Sequence, residues 1–452
     1  MPRHVRALRI LSIAPDLGRG GMQRAVETFS LCYQRAGHCV AVLAWRAGGA
    51  RAATLRGHRI EVFVGGPDLP NAVSAADAFD PDVIHIHRVG VANPTETAIL
   101  KRLRRAPHRR VIETNVFGRV DRSEGADSID VHMLLSDWCL WRWRRWLRPE
   151  TDRIGVVIPN PVDTGRFVRA SAERVRAFRA KLGIPLDGFV CGRVGQPDPV
   201  KWHRATFAAF EHLARLDPTA HLVLIGLPST MRGFVSNSAV EVRRRIVEVA
   251  CTDVDDELVD AYSAFDCFLH AAAIGESFGY VLAEAMLCQC PVVTASTPQA
   301  DNSQLEVVRH LAGGIVAASP DALPAALVAL RNDGDLRSRL TPHLRQHVTS
   351  RFDADAVSAR ALELAAVALD MPDRSALRDR ITETPHMRSQ VTATDIRRLL
   401  SNSFGRPRGI DLMVMHLRHF PAVQTCIDAR LSRRLRRTDA VTLGSVPVAH
   451  EI

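Results

Sequence analysis

Two successive series of apolar runs, each run followed by a stretch of helical spacing, constrain this chain more than any other feature. They admit only α/β architectures with mostly parallel sheets. In the first series residues 8–14, 39–45, 60–64, 83–87, 111–114 and 132–135 read as strands. Between the first two, Ala25, Val26, Phe29 and Cys32 recur with helical period. Pro159-Asn160-Pro161 interrupts the pattern. A second series follows, with strands expected at 189–194, 221–225, 246–251, 267–270 and 291–294 and helices at 201–215, 256–264 and 279–288. A helix at 353–366 closes it. Beyond Met371 the periodicity weakens, although 395–400 and 428–435 read as helices. The expected organisation is two doubly wound domains, 1–165 and 166–370, followed by a basic, partly helical extension, 371–452.

Composition narrows the function classes. A content of 46% hydrophobic and 24% charged residues is that of a globular protein. The formal charge of +10 raises the question of nucleic acid, but much of the excess lies from Met371 onward, where fourteen arginines face eight acidic residues. No strand interleaves basic and aromatic residues as single-strand binders do, so no nucleic-acid partner is expected. The nine cysteines form no C-x-x-C pair and read as free thiols, not as a zinc or disulfide framework. No run approaches the ~20 apolar residues of a spanning helix, and residues 8–14 are too short for a signal peptide. The expectation is a cytoplasmic protein, peripheral to a membrane if it meets one at all.

In open α/β sheets ligands bind beyond the carboxyl ends of the strands, and three strand-to-helix turns carry unusual chemistry. Gly18-Arg19-Gly20-Gly21 would let backbone N–H groups approach an anion at a helix N-terminus. A dinucleotide fingerprint is disfavoured there, because the third glycine and the ribose-binding acid are both missing. Gly192-Arg193 leads through a Gly/Pro loop to Lys201, one of only three lysines in a chain that otherwise uses arginine. Two such cations could stabilise the charge of a leaving diphosphate. The third turn, Gly275-Glu276-Ser277-Phe278-Gly279, opens a helix carrying Glu284 among apolar neighbours. A carboxylate in that company is expensive to bury unless it binds something, and the amides of Phe278 and Gly279 could face the same cleft.

Taken in order, these segments resemble the family 4 retaining glycosyltransferases (glycosyltransferases group 1). Glu276 and Glu284 with their flanks resemble the E-x7-E region, and Pro159-Asn160-Pro161-Val162-Asp163 resembles the interdomain turn. Gly192-Arg193 to Lys201 is similar to the phosphate loop, and Gly20-Gly21 to the N-terminal Gly-Gly motif. The resemblance implies a GT-B fold, two Rossmann-like domains facing across a cleft, the first on the acceptor side and the second holding a nucleotide-diphosphate sugar. It implies Glu276, Arg193 and Lys201 as the catalytic set, with Gly21, Ser277, Phe278, Gly279 and Glu284 also binding the donor. It further implies transfer with retention to a glycan, lipid-linked or small-molecule hydroxyl, with no cofactor and no metal. Asn115 stands where many members carry a histidine near the reacting centre; with His87 it is the expected acceptor-side residue. A nucleotide-sugar epimerase, a phosphorylase, or a nucleotide-sugar-binding protein without transferase activity could share the architecture.

Three further features stand apart from these motifs. His85 and His87 alternate onto one side of a strand, where structural histidines are expected over a zinc pair. Asp253-Val254-Asp255 matches the D-x-D pattern of metal-dependent transferases but precedes a helix and reads as capping. Trp138, Trp141, Trp143 and Trp146, interleaved with Arg142, Arg144 and Arg145, would suit a membrane-surface helix or a helix packed under its neighbours.

Overall fold

The structure, a computed structural model, describes residues 6–147, 151–252, 254–420, 422–427, 429–430 and 433. Seven strands form the first sheet: β1 (Arg9–Asp16), β2 (Cys39–Ala47), β3 (Glu61–Val64), β4 (Val83–Arg88), β5 (Arg110–Asn115), β6 (Val131–Leu134) and β7 (Gly155–Val157). Six form the second: β8 (Val190–Val194), β9 (His221–Ile225), β10 (Ile246–Val249), β11 (Cys267–His270), β12 (Val292–Ala295) and β13 (Gly314–Ala317). The orders are β3-β2-β1-β4-β5-β6-β7 and β10-β9-β8-β11-β12-β13. The pairings on either side of β1 and of β8 are parallel, so the strand order reverses between β1 and β4 and again between β8 and β11. Those reversals open the crevices in which doubly wound sheets bind ligands.

The chain divides into two interleaved units, which corrects the expected consecutive blocks 1–165, 166–370 and 371–452. The first unit takes the described parts of Met1–Pro161, Ala354–Val391 and His416–Ile452; the second takes Val162–Asp353 and Thr392–Met415. Burial of apolar faces explains the interleaving. Val357, Ala361, Leu364 and Ala368 of the helix Ala354–Asp370, with Leu377 and Ile381 of the helix Arg374–Glu383, complete the core on one face of the first sheet. In the second unit Ile396 and Leu400 of the helix Ala393–Ser401 are buried, and Phe404 bridges to Ala317 on β13. The segment after Met371 is therefore part of the fold up to at least Phe404, not a loose extension. The helix expected at 428–435 lies largely outside the described residues.

The Trp/Arg segment forms the helix Asp137–Trp146, and all four of its tryptophans are buried. Trp143 lies beside His132, at 5.0 Å between ring centroids. Trp141 and Trp146 enclose His419, at 4.8 and 5.3 Å. The tryptophan stripe faces protein, so the membrane-surface reading of this helix is corrected. Tryptophan spacing alone could not separate the two outcomes, because both require one apolar face.

Buried histidines make the fold acid-sensitive. Burial holds His87 and His419 neutral, lowering each to about 3, and it lowers His347 to about 4. His85 is pushed well below the ordinary range by burial and then by His87. In each case the unfolded chain takes up a proton below about pH 6.5 while the folded chain does not. Stability is therefore complete above that pH and falls as the pH drops, by up to about 1.4 kcal/mol per pH unit for each such histidine. The melting temperature should fall steadily between pH 7 and pH 5, before most carboxylates titrate. A flat melting profile over that interval would contradict the burial of these rings.

Candidate active site

The second sheet reverses between β8 and β11, and the residues leaving those two strands meet. After β8 the chain makes a short 3-10 turn, Pro199–Lys201, capped by Asp198, whose side chain accepts from the Val200 amide at 3.1 Å. Trp202, extended and buried, donates its indole N–H to the Gln196 carbonyl at 2.9 Å. The following helix opens only at Ala205, four residues later than the helical spacing predicts. The reason is local: Pro199 supports a 3-10 turn, and Trp202 must extend to turn its ring inward. Lys201 thus projects from a tight turn, half-exposed, and not from a helix.

After β11, Gly275 holds a φ of +66°, and a Cβ there would lie 1.7 Å from the Asp301 carbonyl oxygen, so only glycine fits. The turn it makes carries Glu276 inward. The Glu276 carboxylate accepts from the Lys201 ammonium at 3.1 Å and faces His270 Nε2 at 3.3 Å. Its own amide donates to the Gln304 side chain at 3.1 Å. Burial alone would raise the Glu276 carboxyl, but the Lys201 charge and the His270 hydrogen bond outweigh it and hold the group at about 2. Burial, with Arg193 and Lys201 nearby, lowers His270 to about 4. At neutral pH the pair is therefore an ionised carboxylate and a neutral imidazole. Nε2–H donates to Glu276, and Nδ1, 3.3 Å from Thr294 Oγ1, accepts from the threonine hydroxyl.

Arg193, expected beside Lys201 on one anion, is buried on β8. Its guanidinium donates to the carbonyls of Val194 and Lys201 and lies 4.8 Å from the Trp202 ring. It braces the lysine turn through the main chain. Burial lowers it to about 10 despite the opposing charge of Glu276, and its buried Nε has no hydrogen-bond partner. Glu284 is buried on the helix Tyr280–Leu287, where its carboxylate accepts from the Tyr262 hydroxyl at 3.0 Å. Ser277 is half-buried. The Phe278 ring is core, 5.2 Å from both Tyr280 and Phe352, so this residue offers a ligand only its main chain. Gly279, at φ +89°, is the N-cap of that helix, and no side chain caps it. The helix N-terminus, with its partial positive charge, thus lies three residues after Glu276.

His270, Tyr262 and Gln304 escaped the sequence reading. His270 carried one usable signal, a strand-end histidine six residues before an acid in a Gly-bounded turn. Nothing local marks Tyr262 or Gln304, because their contacts with Glu284 and Glu276 are set by helix packing.

In the first unit Gly21 is exposed as the first residue of the helix Gly21–Arg35, which lacks a side-chain cap. The loop before it is tied by Asp16, which accepts from Gly18 N and Gln23 Nε2, both at 3.0 Å, and pairs with Arg46 at 2.7 Å. His87 is buried against His85, 4.0 Å between rings, with no hydrogen bond to either ring nitrogen. His85 is held between Tyr33 and Thr114. Asn115 is buried, its amide donating to the Arg119 carbonyl at 2.8 Å and accepting from the Arg119 amide at 3.2 Å, so it fastens its own loop. Asp253 lies outside the described residues; Asp255 opens the helix Asp255–Ala264 and pairs with Arg166. Among the described residues no three His, Cys, Asp or Glu side chains are grouped for a metal ion.

Two parallel, doubly wound sheets with polar turns at the strand reversals define a Rossmann-like pair, and solved structures of the GT-B type share it. Anabaena HepE in complex with UDP and glucose superposes with a TM-score of 0.62 at 19% identity, covering 79% of this chain and 99% of that one. A glycosyltransferase from Rickettsia africae gives 0.64 at 14% identity, covering 81% and 100%. Residues 188–333 match the family model described as "Glycosyl transferases group 1". Through this segment the chain is similar to the group 1 glycosyltransferases. It is 30% identical over 244 residues to a D-inositol 3-phosphate glycosyltransferase of Salinispora arenicola, and 33% identical over 150 residues to one of Kineococcus radiotolerans. The first match covers 50% of this chain and 52% of the relative, the second 31% and 34%. The chain thus spans about half the length of the curated relatives it matches, or less.

Proposed function

We propose that this protein is a retaining glycosyltransferase that moves a sugar from a nucleoside-diphosphate donor to a hydroxyl acceptor without a resident metal. One observation carries the proposal: the Lys201–Glu276 ion pair stands at the strand reversal of the family-matched sheet, beside a helix N-terminus that no side chain caps. The ammonium of Lys201 has three N–H donors and uses one on Glu276, leaving the others for a diphosphate. The helix amides add partial positive charge to the same anion. Glu276, ionised across the neutral range, accepts from hydroxyls of the donor sugar. Glu284 sits eight residues further along, as an acceptor for the nucleotide ribose. Arg193 acts as a positioning residue through the Lys201 carbonyl.

In this reading the bond from the sugar C1 to the diphosphate oxygen breaks and the acceptor oxygen bonds to C1 on the same face. The departing phosphate takes the acceptor's proton, so no general base is required, and the immobilised Asn115 is no obstacle. That the HepE structure holds UDP and glucose supports a nucleotide-sugar donor; the inositol-phosphate relatives support a polyol acceptor.

Thermal shift against a panel of nucleoside-diphosphate sugars tests the donor, since a ligand at a hundredfold excess over Kd stabilises by about 2.7 kcal/mol. Release of nucleoside diphosphate from the stabilising donor then tests catalysis, and NMR of the product tests retention. The expected outcome is transfer with retention at a rate unchanged by EDTA. Loss of activity in EDTA, restored by manganese or magnesium, would overturn the metal-free reading.

A further inference from the structure

We infer that the helix Gly409–Arg418 and the described residues that follow it as far as Val423 form a docking surface for an anionic membrane leaflet. Ile410, Met413 and Leu417 recur at i, i+3 and i+7 and are 60, 54 and 51% exposed. Phe420 and Val423, 51 and 42% exposed, follow closely beyond the helix end. The intervening Asp411, Met415 and His419 are buried, so the helix is fixed by one face and turns its apolar stripe outward. Elsewhere among the described residues large exposed apolar side chains such as Val168, Leu186, Leu216 and Leu311 are scattered. Five of them within fourteen residues, three on one helix face, constitute a patch, and soluble monomers rarely leave such patches uncovered.

Charge identifies what covers it. Between residues 404 and 438 the sequence has eight arginines, two aspartates and no glutamate or lysine. Arg406, Arg418, Arg430 and Arg433 are exposed along this segment. An apolar stripe one helix face wide, bordered by arginines, matches the acyl–headgroup boundary of a bilayer rich in anionic lipid: the stripe enters the boundary and the guanidinium groups remain at headgroup level. No described helix is long and apolar enough to cross a membrane, so the contact is with the surface. This inference is independent of the donor chemistry and shifts membrane contact from the buried tryptophan helix to the segment around the helix Gly409–Arg418.

Co-sedimentation of the full chain with phosphatidylcholine vesicles, with and without phosphatidylglycerol, tests it. Binding should require phosphatidylglycerol, weaken with salt, and fall at least about tenfold in the double variant Leu417→Glu/Phe420→Glu. The variant's melting temperature and nucleotide response should match wild type, because both side chains are exposed. Leu216→Glu, at an equally exposed but isolated position, should bind vesicles like wild type. Failure of the wild type to bind, or equal binding by the double variant, would overturn the inference. So would a dimer in solution that the double variant dissolves while vesicles are ignored, since the stripe would then be an interface between copies.

Discussion

Lys201→Ala should lower the rate of donor cleavage by about a hundredfold or more while the protein remains folded. Removing one preorganised donor from a site that stabilises developing negative charge costs about 10²–10³ in turnover, and in the proposed mechanism Lys201 has that role while also pairing with Glu276. Its Nζ lies 3.1 Å from the carboxylate, and its side chain is 30% exposed, so its loss opens no core cavity. The carboxylate left behind is 9% exposed and keeps His270 as a hydrogen-bond donor. Without the ammonium, the influence holding Glu276 at about 2 weakens and its pKa should rise toward the ordinary range. The sign follows: a depressed carboxyl contributes stability above its unfolded value of 4.5 that is lost as the pH falls toward 2. The variant should therefore show less of this acid-induced loss than wild type.

Glu276→Gln is the complementary change. It retains an acceptor for Lys201 but removes the charge, and should also reduce turnover strongly. If the two residues act as one unit, the double variant should be little worse than either single. Additive losses would show that they serve separate steps. Wild-type turnover in Lys201→Ala would remove the ion pair from the mechanism.

The strands of both sheets were legible wherever an apolar run had a marked end. Residues 39–45 and 267–270 read as strands and are found within β2 and as β11. β7 and β13 were not legible. Gly155–Val157 is only three residues, and Gly314–Ala317 begins at a glycine within a run that local pattern cannot assign. The carboxylate turn was legible because Gly275 and Gly279 bracket an acid at a strand end, a combination with few structural uses. The Lys201 helix was misplaced because helical period says nothing about Trp202, whose inward ring forces an extended residue before Ala205. Membership of the two units was the least visible feature. The helix Ala354–Asp370 has an apolar face, but which sheet it covers depends on contacts hundreds of residues apart, such as Arg110 donating to the Ala368 and Met371 carbonyls.

A chain ended after Asp370 should fail to fold. The basic composition of the last eighty-odd residues invites their removal, yet Leu377 and Ile381 belong to the first unit's core, and Ile396, Leu400 and Met415 are each no more than 2% exposed. Truncating one buried Leu, Ile or Met to Ala costs about 2–5 kcal/mol. Deleting five such residues with their backbone exceeds the roughly 5–15 kcal/mol of net stability a domain has. Polar ties go as well: Arg374 donates to the carbonyls of Asp127 and Ile129 at 2.7 and 3.1 Å, and the Ser389 carbonyl accepts from Arg144 at 2.5 Å. The truncated chain should be insoluble or lack a cooperative melting transition, whereas one ending at Thr438 loses none of these contacts and should melt like the full chain. A soluble 1–370 fragment that melted cooperatively and cleaved donor at the wild-type rate would show that the two sheets fold without the segment that follows them, and that the buried side chains of 371–415 cover surfaces stable on their own.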